Sequence, residues 1–202
     1  MLTNHDVASL ILRQGGTLWG GYVRDFVSGD DPTGDIDVLV TDDGRFNPER
    51  FTLELVQRGI EFEEVPEGVI PKKAVTPEDG FVSVKSGIEY KNVVIKDDRF
   101  KRLLIGEVVV DFCYPPILNL DFTVHALTMS GLKPLSEYFQ DSTTGINLSM
   151  LYGSVERGID EFDCIRHIKE KLLIPCKAEA PQFRVDKMVA KGYSLSRDSV
   201  KW

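Results

Sequence analysis

Two hydrophobic periods run along the chain, one near 3.6 residues and one near 2, and they divide it into helices and strands. Thr3 and Asp6 stand in a variant of the capping-box signature, and Val7, Leu10 and Ile11 recur at helical spacing until Gly15-Gly16, which predicts a helix over about residues 4 to 13. Thr17, Leu18 and Trp19 form a short apolar run that stops at Gly20-Gly21, and Tyr22 to Val27 fit two helical turns before Gly29. The turn-forming stretch Asp30-Asp31-Pro32-Thr33-Gly34 leads into residues 36 to 40, the most convincing strand pattern in the chain. Asn47-Pro48-Glu49 then reads as an N-cap with proline at the first helical position, and Phe51, Leu55 and Val56 supply an apolar stripe up to Gly59.

From 60 to 113 the pattern is that of short strands. Residues 81 to 84, 92 to 95, 102 to 105 and 108 to 112 are rich in β-branched residues and separated by Gly, Asp or Pro, with Pro66, Pro71 and Pro77 marking a loop or insertion. Pro115-Pro116 ends the last of them. Residues 121 to 129 read as a helix despite Thr123 and Val124, and Gly131, Pro134 and Gly145 punctuate a loop-rich connection. Ile159, Phe162, Ile165, Ile168 and Leu172 fall three or four apart, an amphipathic helix stopped by Pro175, and a last helix is predicted from about 181 to 191.

Composition narrows the class. At 202 residues, with 42% hydrophobic and 28% charged residues, the chain suits one domain with a real core plus a short appendage. No apolar run approaches the ~20 residues of a membrane span, and the N-terminus shows no secretory signal pattern. Cys113, Cys164 and Cys176 are odd in number and widely spaced, which argues against a disulfide framework or zinc site and for a cytoplasmic location. The net charge of −8 argues against a surface that binds nucleic acid throughout. Residues 166 to 202, however, hold nine Lys/Arg against four acids, a basic segment suited either to a polyanion or to a pair of solvated helices.

The chemistry concentrates near the first glycine pair. Asp35 and Asp37 sit at i and i+2 beside an apolar strand, so their side chains project from one face and repel unless a cation lies between them. Mg²⁺, a hard ion that keeps waters for substrate phosphates, suits such a pair. Asp111, after Val108-Val109-Val110, is the best third carboxylate, because an acid ending such an apolar run needs a reason to be there. Two divalent ions held by three such acids can activate a hydroxyl and stabilise a leaving pyrophosphate during in-line attack on an α-phosphate. Gly20 and Gly21 let backbone N–H groups approach a triphosphate, the following helix adds its N-terminal donors, and Arg24 adds a cation. His5, His125 and His167 have no metal spacing and read as structural or exposed, with His125 the possible exception. Alternation puts Cys113 on the face of Asp111, as a small core residue.

The run GGYVRDFVSGDDPTGDIDVLV resembles the head-domain signature of class II tRNA nucleotidyltransferases (CCA-adding enzymes) and bacterial poly(A) polymerases, within the DNA polymerase β-like nucleotidyltransferase superfamily. Leu120-Asp121-Phe122-Thr123-Val124-His125-Ala126-Leu127 is similar to the Arg-Arg-Asp-Phe-Thr-Ile-Asn-Ala-Leu motif of that family. Ser136 to Asp141 falls where a short Asp-Pro-Phe stretch is usual. The resemblance covers roughly residues 15 to 145. It implies nucleotide contacts at Gly20 and Gly21 and Mg²⁺ ligation by Asp35 and Asp37; with the residue reading above, the expected site is Asp35, Asp37 and Asp111 for metal and catalysis and Gly20, Gly21, Arg24 and Asp121 for the nucleotide. Asn119-Leu120 replace the family's Arg-Arg pair, and His125 replaces its Asn. Residues 183 to 193 loosely resemble the family's neck helix, while the body and tail domains that grip tRNA have no counterpart before Trp202.

The expected fold is therefore an α/β (α+β) nucleotidyltransferase fold, a mixed β-sheet flanked by helices over residues 1 to 145, followed by a short helical, neck-like segment over 146 to 202. The expected function is Mg²⁺-dependent transfer of a nucleoside monophosphate from an NTP to a hydroxyl acceptor, with a tRNA or other RNA 3′ end as the first choice of acceptor. The alternatives are a minimal nucleotidyltransferase that modifies a small molecule or protein, and an inactive nucleotide- or RNA-binding module.

Overall fold

Local signals at the helix ends are met in the structure, a computed structural model describing residues 2–41, 44–65, 101–114, 120–131, 145–151, 158–176 and 180–196. Helix α1 (Asn4–Arg13) opens with a full capping box: the Thr3 hydroxyl accepts from the Asp6 amide at 3.2 Å, and the Thr3 amide donates to the Asp6 carboxylate at 2.8 Å. Helix α3 (Pro48–Gln57) is capped by the Asn47 side chain, which accepts from the amides of Glu49 and Arg50. Helix α4 (Glu161–Lys169) is capped in the same way by Asp160. Helix α2 (Gly20–Ser28) follows directly on strand β1 (Thr17–Trp19), and α5 (Gln182–Ala190) completes the helical set among the described residues.

A seven-stranded mixed sheet carries these helices. In sequence order its remaining strands are β2 (Ile36–Leu39), β3 (Glu63–Val65), β4 (Lys101–Ile105), β5 (Val108–Cys113), β6 (Leu127–Gly131) and β7 (Ile146–Met150). In space they run β3-β4-β5-β2-β1-β6-β7, all antiparallel except the central parallel pair β2 and β5. Two short parallel strands, β8 (Leu172–Leu173) and β9 (Ser194–Leu195), tie α4 to the end of α5. The architecture is α/β, as expected.

Strand alternation divides the sheet into two faces. Leu18, Ile36, Val38, Val110, Phe112 and Leu103 share one face and are buried. Phe112 meets Phe46 and Phe51 with ring centroids 6.0 and 6.3 Å apart, so α3 packs on that face. Trp19, Asp37, Asp111 and Arg102 belong to the other.

Three expectations need correction or qualification. Residues 121 to 129 do not form a helix: Thr123–His125 is a single 3₁₀ turn, and β6 follows at once. The β-branched Thr123, Val124 and Thr128 disfavour a longer helix, and the Thr128 hydroxyl pairs across strands with that of Ser149 at 2.9 Å, at an edge the hydrophobic pattern does not single out. The stripe assigned to α4 is also shifted. Phe162 is 81% exposed, whereas Cys164, His167 and Ile168 face inward, and Leu172 lies in β8. His167 is structural, its Nδ1 3.0 Å from the Thr123 hydroxyl. The expected strands at 81 to 84 and 92 to 95, Pro115-Pro116 and the stretch from Ser136 to Asp141 lie outside the described residues.

One buried charge network joins α2 to the C-terminal helices. Arg24 and Asp25, 4% and 3% exposed, form an ion pair in which Nε donates to the carboxylate at 2.6 Å. Lys191 donates to the other Asp25 oxygen at 2.8 Å, and Lys171 pairs with Asp30 at the end of the same helix. Arg24 Nη1 also contacts His125 Nε2 at 2.8 Å and the Met188 sulfur at 3.2 Å. A guanidinium only donates, so Nε2 is the acceptor. Burial, then the neighbouring cations Arg24, Arg184, Lys187 and Lys191, hold this imidazole well below its usual pKa, and hence neutral. Replacing Asp25 by Ala leaves Arg24 buried without its carboxylate and should lower stability by about 3–5 kcal/mol, measured by equilibrium urea denaturation; a loss below about 1 kcal/mol would mean that the network does not anchor α5.

Candidate active site

The parallel pairing of β2 with β5 sets Asp37 directly beside Asp111, and the antiparallel pairings on either side add Trp19 next to Asp37 and Arg102 next to Asp111. Directly paired residues on adjacent strands share a face at a strand spacing of about 4.8 Å. Trp19, Asp37, Asp111 and Arg102 therefore form one row across four strands. Asp35, just before β2, projects to the same side, and its carboxylate lies 3.9 Å from an Arg102 nitrogen. The structure thus brings the three acids expected from sequence into one neighbourhood.

Their electrostatics follow from that crowding. Burial, then the charges of Asp111 and Asp35, raise Asp37 well above the ordinary carboxylate range. Asp111, only 3% exposed, is also raised by burial, although Arg102 opposes the shift. Arg102 holds Asp111 with both arms of its fork, Nε on one oxygen and Nη2 on the other at 2.5 Å. Hard oxygen donors that repel one another fit a divalent cation such as Mg²⁺. Among the described residues, however, no three carboxylate, imidazole or thiol groups are gathered tightly enough to form a metal-binding cluster, and Asp111 is held by Arg102. Cys113 lies on this face as expected, half-buried, with its thiol pushed up by burial and by Asp37 and Asp111.

The two glycines differ in what the fold asks of them. Gly20 adopts φ +69°, which calls for glycine, and a Cβ there would lie 2.7 Å from an Asp37 carboxylate oxygen and push that side chain aside. Gly21 has no such demand: a Cβ would meet only Arg24, at 3.8 Å. Its lack of a side chain leaves the mouth of α2 open beside the acids. Arg24 and Asp121 are placed differently from the acids. The guanidinium of Arg24 is engaged by Asp25, His125 and Met188, a tie between α2 and α5. Asp121 is buried and paired with Arg184 Nε at 3.1 Å.

Sequence reasoning missed the cations. Arg102 was legible only by register: the Gly106-Glu107 turn pairs Ile105 with Val108, and counting back along both strands reaches Arg102 opposite Asp111. On α5, Arg184 and Lys187 stand one turn apart and within electrostatic reach of Asp37 and Asp35 respectively. No local motif marks them, because their relation to the acids is set by the network under α2.

No protein-family model matches the chain, and no curated protein matches it in sequence. Solved structures do. The chain is similar in structure to a CCA-adding enzyme in an apo form (15% identity, TM-score 0.49, 97% of this chain and 41% of that one). It is also similar to a tRNA-processing enzyme (20% identity, TM-score 0.47, 95% and 43%) and to a tRNA nucleotidyltransferase complexed with a primer tRNA and an incoming ATP analog (18% identity, TM-score 0.47, 95% and 46%). It spans less than half the length of each of these three chains. Among the described residues no helix is long and apolar enough to cross a membrane.

Two outcomes test this geometry. Gly20→Ala should lower stability by about 1–3 kcal/mol, from the positive φ and the displaced Asp37 side chain; Gly21→Ala should leave thermal stability nearly unchanged, and equal effects at both positions would contradict the close approach at Gly20. The raised Asp37 binds its proton more tightly folded than unfolded, so its contribution is complete below the unfolded pKa and is lost as pH rises through the folded one. Asp37→Asn removes that loss. Its unfolding free energy, from urea denaturation at a series of pH values, should exceed that of the wild type by a margin that grows from about pH 4 to neutrality, reaching about 0.5–2 kcal/mol. A margin independent of pH would show that Asp37 is not strained.

Proposed function

We propose that this chain is a nucleotidyltransferase that moves a nucleoside monophosphate from an NTP to a hydroxyl acceptor. The observation that carries the reading is the register of β2 with β5, which sets Asp37 beside Asp111 with Asp35 on the same face and Gly20 against the Asp37 carboxylate. The likeness of the glycine-to-DxD run to the nucleotidyltransferase head signature supports it independently. Asp35 and Asp37 would hold Mg²⁺, which supplies charge neutralisation at the α-phosphate and the leaving pyrophosphate, beside Asp111, whose carboxylate is held by Arg102 on the neighbouring strand. The open mouth of α2 at Gly21 offers backbone donors to the triphosphate, and Arg184 and Lys187 add positive charge within electrostatic reach of Asp37 and Asp35. The acceptor oxygen attacks the α-phosphorus as the bond to the bridging oxygen breaks and pyrophosphate departs. Asp111, whose proton affinity is raised, is the group suited to take the hydroxyl proton.

A tRNA or other RNA 3′ end is the acceptor the motif resemblance favours. One observation favours the second reading, a small molecule or protein side chain. Much of the basic C-terminal charge is turned to the protein's own acids: Lys171 to Asp30, Lys191 to Asp25, Arg184 to Asp121 and Arg166 to Asp163. Those cations are partly neutralised before any polyanion arrives.

One assay separates the readings. The protein is incubated with Mg²⁺ and each α-labelled NTP, offered tRNA lacking its 3′ end, bulk RNA, or an extract of small molecules and proteins, beside the Asp35→Ala plus Asp37→Ala variant. Label should enter one class of acceptor and fall by at least about 10³-fold in the variant. Label on RNA supports the first acceptor and label elsewhere the second. No incorporation, with no Mg²⁺-dependent NTP binding, would leave a non-catalytic module.

A further inference from the structure

Arg102 is the residue of this neighbourhood that the nucleotidyltransferase reading leaves without a part. It comes from β4, a strand that contributes no other charged side chain to the row, and it reaches two of the three acids. Its fork takes both oxygens of Asp111, and Nη2 stands 3.9 Å from Asp35. The pair is sequestered: the Arg102 side chain is 12% exposed and that of Asp111 4%. The hairpin enforces it. Gly106 begins the two-residue turn at φ +62°, a conformation that primed hairpin turns require, and the register that follows has Arg102 facing Asp111.

We propose that Arg102 is a resident cation of the carboxylate cluster, occupying the side of Asp111 that a second divalent ion would otherwise take. The inference rests on the nucleotidyltransferase reading and refines it: the site takes one ion, at Asp35 and Asp37, and Arg102 supplies the remaining positive charge. Charge balance agrees. Among the groups of the row itself, before any nucleotide binds, three carboxylates, one guanidinium and one divalent ion sum to zero. Competition for Asp111 also favours the guanidinium. Its two parallel donors match the carboxylate in a geometry already built, while Mg²⁺ sheds its waters reluctantly and would strand a buried Arg102 without its partner. Arg102 thereby positions Asp111, keeping its oxygens oriented on β5 whether or not the ion beside Asp37 is bound.

The test counts ions rather than turnover. Mn²⁺ is titrated into the full chain and followed by electron paramagnetic resonance and by calorimetry, for the wild type, Arg102→Gln, and Arg102→Gln with Asp111→Asn. The wild type should bind one Mn²⁺ per chain. Arg102→Gln should bind a second, or bind the first at least tenfold more tightly, and the double variant should lose that gain. Two ions on the wild type, or an Arg102→Gln count and affinity equal to the wild type, would overturn the role given to Arg102 and leave the transfer reaction standing. No Mn²⁺ on any of the three proteins would overturn both this inference and the metal-dependent reading beneath it. Should Arg102→Gln fail to fold, the wild-type count decides.

Discussion

Like charges held at strand spacing are the constraint on which the rest of this structure depends. Asp37 and Asp111 are fixed side by side by the parallel pairing of β2 with β5, with Asp35 close enough to add its field. Such a cluster is tolerated only where the surroundings supply positive charge or protons. The surroundings here supply charge from two elements: the fork of Arg102 from β4, and Arg184 and Lys187 from α5. The apolar face of the sheet, packed with Phe46, Phe51 and Phe112, provides the rigid platform that such a concentration of charge needs.

The position of α5 follows from a second buried charge centre. Arg24 and Asp25 are buried, and Lys191, Met188 and Tyr193 pack on them. Arg24, expected from sequence to contact a triphosphate, is thus also a tie that holds α5 in place. His125 belongs to the same centre, as a neutral acceptor for Arg24.

What the sequence made legible was local or periodic. The caps at Thr3 and Asn47, the strand at 36 to 39, the hairpin strands ending at Ile105 and beginning at Val108, and the glycine turn into α2 all follow from spacing and turn chemistry within a few residues. The three acids were legible because a carboxylate beside or within an apolar strand is conspicuous. Residues 121 to 129 were misread because apolar spacing alone does not tell a helix from a buried turn and strand, and the Thr128–Ser149 pairing that decides it is 21 residues apart in the chain. Phe162 was misread because helical periodicity gives a face without saying whether its end extends past the core. Arg102 and Arg184 were missed for a different reason: lysine and arginine are ordinary on a surface, and only the partner across the sheet makes them unusual.

The β4–β5 hairpin has one more consequence, for the length of the chain at Gly106-Glu107. Because successive residues of a strand face opposite ways, a single insertion or deletion there cannot be absorbed by sliding one strand along the other. Slippage by one position would carry Arg102 through to the aromatic face and bring Leu103 up against the acids. The two-residue turn is thus a ruler for the site, and any change of length there must be taken up inside the loop rather than by the strands.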